Sequence, residues 1–225
     1  MDPREAAIRN NVAWCATVTG SPGTTDDERG FWMPDTSPPA LFPDLVTLRP
    51  GVSPDAVVQA LTGPGRHSVK DSFADVDLTE HGFAVAFEAQ WISTAPQCGR
   101  SVGRGWFVVR DAGRLSSWNR ASGLPEPLPD HLLDDASTSV IGFGREDHLT
   151  AGAVVTRGGD VAGLSNVFEC AGTVSTSTWQ DLVAVTDVLW PDLVVVDYEH
   201  GDDLKSAMAA GFRATGPLRV WVTRP

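Results

Sequence analysis

Three consecutive side chains near the carboxyl end, Tyr198, Glu199 and His200, have the types needed to move protons. Tyr198 is the only tyrosine in the sequence. Ordinary pKa values of about 10 for a phenol, about 4.3 for a carboxyl and about 6.5 for an imidazole let such a triplet supply a general acid and a general base. The alternative is a solvated turn at Glu199 and His200, followed by Asp202 and Asp203 in the first turn of a helix.

A second carboxylate, Glu169, ends a stretch with strand-like alternation. Alternation places Ser165, Val167 and Glu169 on one face and Asn166 and Phe168 on the other. If Val167 packs inward, Glu169 faces the interior or a cleft, where a buried charge needs a partner or a role. An exposed sheet edge is the alternative.

The elements that position these residues run from residue 151 to residue 222. Two apolar runs meet at the turn signal Gly158-Gly159, and a segment with helical periodicity follows, TWQDLVAVTDVLW. Next come the strand DLVVVDY, a short helix that ends at Gly211, and a last strand. The predicted order is β-β-α-β-α-β.

The amino-terminal part is predicted to form a helix over 3–19, which begins at Pro3, and several short strands. In GFAVAFEAQWI, Glu88 shares a face with small residues, so it faces solvent or a cleft. The Gly- and Arg-rich stretch 96–105 is the predicted boundary, which gives a lobe of residues 1–100 and a domain of residues 101–225. PDLV occurs at both 43–46 and 191–194. Two related halves or a shared strand-turn-helix pattern would explain it.

This element order, with Gly211-Phe212 closing the last helix, resembles the carboxyl-terminal core of the GNAT superfamily of N-acyltransferases. The resemblance covers roughly residues 101–225. It implies an α/β (α+β) fold with a mixed, mostly antiparallel twisted sheet flanked by helices, preceded by a smaller amino-terminal lobe that resembles a degraded GNAT-like half.

The resemblance also implies an activity, the transfer of an acyl group from a thioester such as acetyl-CoA or another acyl-CoA to an amine of a small molecule. Two strands of such a fold splay apart around the acyl-bearing arm. The implied cofactor-binding residues are Asn166, Val167, Phe168, Gly172 and Thr173. The implied catalytic residues are Glu169 or Glu199 as the base and Tyr198 as the acid. The implied substrate-binding residues are Ser165, His200 and Glu88.

The sequence departs from the family pattern at three places. The paired glycines of the family's pyrophosphate loop would fall near Val174 and Thr176. The tyrosine that acts as the general acid in many members would fall at Ala207. No Lys or Arg occurs between Arg157 and Lys205. Two further functions therefore stay open: non-transfer chemistry, such as decarboxylation, on an acyl or amino-acid-derived substrate, and ligand binding without catalysis.

Composition narrows the class of partner. A formal charge of −12 on 225 residues disfavours nucleic acid and acidic membrane surfaces and favours a cationic small molecule. The charged start and the lack of a run of about 18 apolar residues predict a cytoplasmic protein. Three widely spaced cysteines, Cys15, Cys98 and Cys170, are predicted to be free thiols, and the spacing of the five histidines predicts no metal site.

Overall fold

The structure is a computed structural model that describes residues 2–63, 65–97, 101–145 and 148–224. Its α-helices are α1 Pro3–Thr19, α2 Pro54–Ala60, α3 Ala112–Ser122, α4 Thr176–Leu189 and α5 Gly201–Ala209. Its strands are β1 Thr24–Asp26, β2 Phe31–Met33, β3 Leu45–Thr47, β4 Ser68–Asp71, β5 Phe83–Thr94, β6 Trp106–Val108, β7 Thr138–Arg145, β8 His148–Gly158, β9 Val161–Glu169, β10 Val194–Glu199 and β11 Arg213–Thr223. The predicted order β-β-α-β-α-β is present from β8 to β11.

The eleven strands found in the described residues belong to one sheet, in the order β1-β2-β3-β4-β11-β5-β10-β9-β8-β7-β6. Neighbouring strands are antiparallel except for two parallel pairs, β3 with β4 and β9 with β10. Each parallel pair is joined through a helix, as parallel strands require. The predicted fold class, a mixed and mostly antiparallel sheet with flanking helices, is confirmed.

Pairing directions repeat on the two sides of the sheet centre, which lies between β11 and β5. Outward from the centre, the partners β4, β3 and β2 follow the same antiparallel, parallel, antiparallel sequence as β10, β9 and β8. β3 therefore corresponds in position to β9. The repeated PDLV stretches do not follow this correspondence, because residues 43–46 lead into β3 and residues 191–194 lead into β10. The division at residue 100 stays a prediction, and part of the predicted boundary, 98–100, lies outside the described residues.

Helices cover both faces of the sheet. In β8, Val154 packs in a cluster with α1 and α3, and its neighbour Val155 packs in a cluster with α4. The predicted helix over 3–19 is confirmed, and its buried side chains include Ile8, Asn11, Trp14 and Cys15. α1 therefore lies against the middle of the sheet, close to where β9 and β10 meet.

β9 and β10 separate after a short parallel ladder. Pairing joins Val194 to Val196 of β10 with Val161 to Gly163 of β9, and the rest of β10 pairs only with β5. Beyond the ladder, β9 contains a bulge opposite β8, and Asn166 within it has a left-handed backbone with φ of 51°. A bulge bends its strand, so it turns the end of β9 away from β10.

In the described part of the chain, no helix combines the length and the apolar character needed to cross a membrane. Cys15 and Cys170 are free thiols, as predicted; Cys98 lies outside the described residues.

Candidate functional site

The divergence of β9 and β10 opens a cavity of about 590 Å³, which we call the interstrand cavity. Its size falls within the range of roughly 300–1,000 Å³ that is usual for small-molecule sites. Its polar wall is formed by Asn11, Ser68, Lys70, Ser165, Asn166, Asp197, Tyr198, Glu199 and His200. Its apolar wall includes Trp14, Leu41, Phe42, Phe87, Val167 and Val220. Six predicted site residues therefore share one cavity: Ser165, Asn166, Val167, Tyr198, Glu199 and His200.

Tyr198 lies on the face of the sheet that α1 covers. Its ring packs edge-on against Trp91, with 5.5 Å between ring centroids, and the Lys70 ammonium lies 4.1 Å from the centroid of the Tyr198 ring. Lys70 is buried and donates a hydrogen bond of 2.8 Å from Nζ to Oδ1 of Asn11. These contacts fix the phenol beside a buried positive charge at the cavity wall.

Two carboxyl groups lie on the opposite side of β10, because Asp197 and Glu199 alternate with Tyr198 along the strand. Burial, together with the charge of Glu199, raises the pKa of Asp197 well above its ordinary value. Burial and the charge of Asp203 raise the pKa of Glu199 to about 8. A carboxyl that titrates near neutral pH is suited to accept and return a proton.

His200, directly after β10, and Asn166 on β9 complete the polar wall. His200 precedes α5, is exposed, and packs its ring against Phe87 with 4.9 Å between centroids. Oδ1 of Asn166 is buried and accepts no hydrogen bond within residues 2–63, 65–97, 101–145 and 148–224. An unpaired buried acceptor on a cavity wall is a place where a ligand donor can bind.

Glu169 lies outside the lining of the interstrand cavity. Its Oε2 accepts hydrogen bonds from the backbone N–H of Ser175 at 2.9 Å and the hydroxyl of Thr178 at 2.8 Å. Partial burial acts to raise the pKa of Glu169, but the hydrogen bonds from Ser175 and Thr178 outweigh it, so the pKa lies below its ordinary value. This carboxylate thus stabilises the start of α4 and is a weak base.

The other predicted residues are also placed away from the cavity lining. Phe168 packs edge-on against Trp118, with 5.2 Å between centroids, in the cluster beneath α3. Gly172 and Thr173 are exposed in the turn that precedes α4. Glu88 is exposed on β5, where its Oε1 accepts hydrogen bonds of 3.0 Å and 2.7 Å from Arg219. The structure therefore brings Tyr198, Glu199 and His200 together with Ser165, Asn166 and Val167. Phe168, Gly172, Thr173 and Glu88 lie apart from this group.

The start of α4 is where a GNAT fold would hold the pyrophosphate of CoA, since free N–H groups at a helix start bind anions. Here the N–H of Val174 donates to Oδ1 of Asp203 at 2.7 Å, and the N–H of Ser175 donates to Glu169. Ser175 caps the helix by accepting from the N–H of Thr178. Two carboxylates of the chain therefore accept from the N–H groups directly ahead of α4, where a pyrophosphate would need free donors, and the residues present do not fit a pyrophosphate.

A similar arrangement lies on the other side of the sheet centre, ahead of α2. Gly51, ahead of α2, donates its N–H to Oδ2 of Asp75 at 2.8 Å. Asp75 lies four residues after the end of β4, and Asp203 lies four residues after the end of β10. A side-chain carboxylate is thus the anion partner at the start of both helices.

We expect CoA to bind with a Kd weaker than about 1 mM, because its phosphates would meet Glu169 and Asp203 in place of free N–H groups. Isothermal titration of the wild-type protein with CoA checks this. The double variant Glu169→Gln with Asp203→Asn removes both charges and should bind CoA more tightly than the wild type. Wild-type binding with a Kd below about 100 µM, displaced by adenosine 3′,5′-bisphosphate, would contradict the expectation.

Sequence reasoning did not single out Lys70, Asn11 and Asp197 as one site. Asp197 had a local signal, since it lies two residues before Glu199 on the same face of a strand. Lys70 is 128 residues from Tyr198 in sequence and reaches it through the sheet order. Asn11 had no local signal, because it is 187 residues from Tyr198 and lies on α1. Within the described residues, no group of three His, Cys, Asp or Glu side chains is arranged to hold a metal ion.

Comparisons with known proteins place the fold. No family model matches the sequence, and a search of curated proteins finds no match. Among solved structures, a protein from Novosphingobium aromaticivorans assigned to the GNAT acetyltransferase family aligns with a TM-score of 0.61 at 12% identity, over 99% of this chain and 99% of that one.

Two further structures named as GCN5-related N-acetyltransferases align as well. The one from Kribbella flavida has a TM-score of 0.51 at 16% identity and covers 80% of this chain and 81% of its own. The one from Sphaerobacter thermophilus has a TM-score of 0.51 at 9% identity and covers 100% of this chain and 94% of its own. At these identities the likeness establishes the fold, and the GNAT fold expected from the sequence is confirmed.

Proposed function

We propose that this chain, which has the GNAT fold, transfers an acyl group from a thioester to the amine of a small molecule bound in the interstrand cavity. The observation that supports this most directly is the separation of β9 and β10 beside the buried Asp197, the half-buried Glu199 and the phenol of Tyr198. Tyr198 borders the opening on the α1 side, and Glu199 borders it on the other. An acid and a base can therefore act on different atoms of one reacting group.

The proposed reaction assigns one proton transfer to each residue. The amine nitrogen attacks the carbonyl carbon of the thioester, and Glu199 takes a proton from the nitrogen directly or through one water. As the carbon–sulfur bond breaks, Tyr198 gives its phenolic proton to the sulfur. The proton on Glu199 then returns to Tyr198 through solvent, which leaves an amide, a free thiol and the unchanged protein.

The charge distribution supports an amine as the acceptor. The net charge of −12 attracts cations, and Asp197, Glu199 and Asn166 supply oxygen acceptors at the cavity wall. Because Asp203 and Glu169 already accept from the N–H groups ahead of α4, the acyl donor is not held there by a pyrophosphate. The donor is instead a thioester whose acyl-bearing arm binds in the cavity.

The test is a product assay with two thioester donors, acetyl-CoA and S-acetyl-N-acetylcysteamine, against a panel of primary amines. Mass spectrometry should find the acetylated amine with the second donor. Tyr198→Phe should lower the rate by at least about 100-fold, the lower range for a general acid. The absence of an acetylated product from every amine and both donors would overturn the proposal.

Ligand binding without turnover is the second candidate, and the closed start of α4 favours it. It predicts that an amine binds the wild-type protein in a calorimetric titration while no product forms. Tyr198→Phe would then leave the affinity for the amine nearly unchanged.

A further inference from the structure

The interstrand cavity contains a buried cation, Lys70, that has no anionic partner among the residues that the structure describes. Lys70 is 4% exposed, and its ammonium has three N–H donors, of which one bonds to Asn11. The Tyr198 ring covers another part of the ammonium. Among the described residues, no carboxylate lies within ion-pair distance of Lys70. A buried charge of this kind costs free energy until an anion pairs with it.

The same cavity contains buried acceptor atoms to which no group in the described part of the chain donates. Asp197 is 7% exposed, and its Oδ1 accepts from the N–H of Tyr198 at 2.7 Å, while its Oδ2 has no partner. Oδ1 of Asn166 is buried and also has no partner. Both residues line the cavity. A buried acceptor without a donor costs free energy, so a ligand that donates to Asp197 and Asn166 would lower this cost.

The cation and the acceptors are neighbours but do not bond to each other. Lys70 is close enough that its charge acts on Asp197 and opposes the effect of burial on the pKa of that carboxyl. The two side chains nevertheless form no ion pair. A ligand with opposite charges a few ångströms apart would pair with both groups at once and offset the burial of each.

We propose that the interstrand cavity binds a small zwitterion, an α-amino acid with an apolar side chain, with its carboxylate on Lys70 and its ammonium on Asp197 and Asn166. The apolar side chain would pack on Trp14, Phe42 and Phe87 of the cavity wall. This inference rests on the proposed function, in which the amine of the ligand accepts the acyl group, and it names the substrate class.

The test uses L-phenylalanine and two analogues that each lack one charge, phenethylamine and 3-phenylpropanoate. Calorimetric titration without any thioester should show that phenylalanine binds at least about tenfold more tightly than either analogue, which is about 1.4 kcal/mol. Lys70→Met should abolish the difference between phenylalanine and phenethylamine. Asp197→Asn should reduce the difference between phenylalanine and 3-phenylpropanoate.

Matched controls use the same chemical changes at exposed positions. Lys205→Met removes the only other lysine, which lies on α5 in an exposed ion pair with Asp202, and it should leave all three affinities unchanged. Asp160→Asn is the corresponding acidic control in the turn between β8 and β9. Thermal denaturation verifies that each variant is folded, and the analogue series on the wild type tests the proposal without any variant.

Equal binding of the three compounds, or discrimination that survives in Lys70→Met, would overturn the zwitterion proposal. Acetylation of phenethylamine and phenylalanine at equal rates would keep the proposed function and overturn this inference. Tight binding of phenylalanine with no acetylation would keep the inference and overturn acyl transfer.

Discussion

Replacing Glu199 by glutamine should lower the rate of acyl transfer by about 100- to 10,000-fold, the usual contribution of a positioned proton-transfer group. Glutamine keeps the shape of the side chain but cannot take the proton from the amine. Because the pKa of Glu199 is about 8, the wild-type rate should rise as the pH increases through that value, since the carboxylate is the active form. Rates measured between about pH 6 and pH 10 should lack this rise in the variant.

The exposed Glu80 provides the matched control, since Glu80→Gln makes the same chemical change far from the cavity lining. It should keep both the rate and the pH profile of the wild type. Turnover by Glu199→Gln at the wild-type rate would contradict a base role for this carboxyl.

Glu199→Gln has a second expected result, which does not depend on turnover. Between its ordinary pKa of 4.5 and its folded pKa of about 8, Glu199 holds its proton in the folded state and releases it in the unfolded state. The free energy of unfolding of the wild type therefore receives a contribution from this group that is present below the lower pKa and is lost as the pH rises through the higher one. Glutamine does not titrate, so the Tm of the variant relative to the wild type should increase from about pH 5 to about pH 9. A constant difference would contradict the raised pKa.

Replacing Trp91 by alanine should lower the free energy of unfolding by about 3–5 kcal/mol, the cost of removing a large buried aromatic side chain. Trp91 is 1% exposed, lies on β5 in the centre of the sheet, and donates its indole N–H to the carbonyl of Ser72 at 3.0 Å. Denaturant unfolding measures the change. Tyr198 loses its edge-on partner in this variant, so any turnover should fall as well.

Val188→Ala is the control for the loss of apolar volume, because Val188 is 69% exposed. Its free energy of unfolding should stay within about 0.5 kcal/mol of the wild type. A loss below about 1 kcal/mol in Trp91→Ala would show that the site collapses around the missing ring and that Trp91 does not fix Tyr198.

The sequence predicted the elements that depend on local pattern. Apolar alternation, helical periodicity and turn residues act within a few positions of one another, so they located α1, the β8–β9 hairpin and the series α4, β10, α5 and β11. The same local logic put Tyr198 and Glu199 at the end of β10, where both prove to line the interstrand cavity.

The tertiary structure decided which distant residues meet. β5 lies between β10 and β11, and β4 lies beyond β11, so the sheet brings Lys70 to Tyr198 from more than 100 residues away. Asn11 comes from α1, which packs across these strands, and it bonds to Lys70. Tertiary contacts also determined the roles of two predicted carboxylates. Glu169 accepts a hydrogen bond ahead of α4, and Glu88 pairs with Arg219. Strand order and register depend on packing over the whole sheet, which the local periodicity of a sequence does not contain.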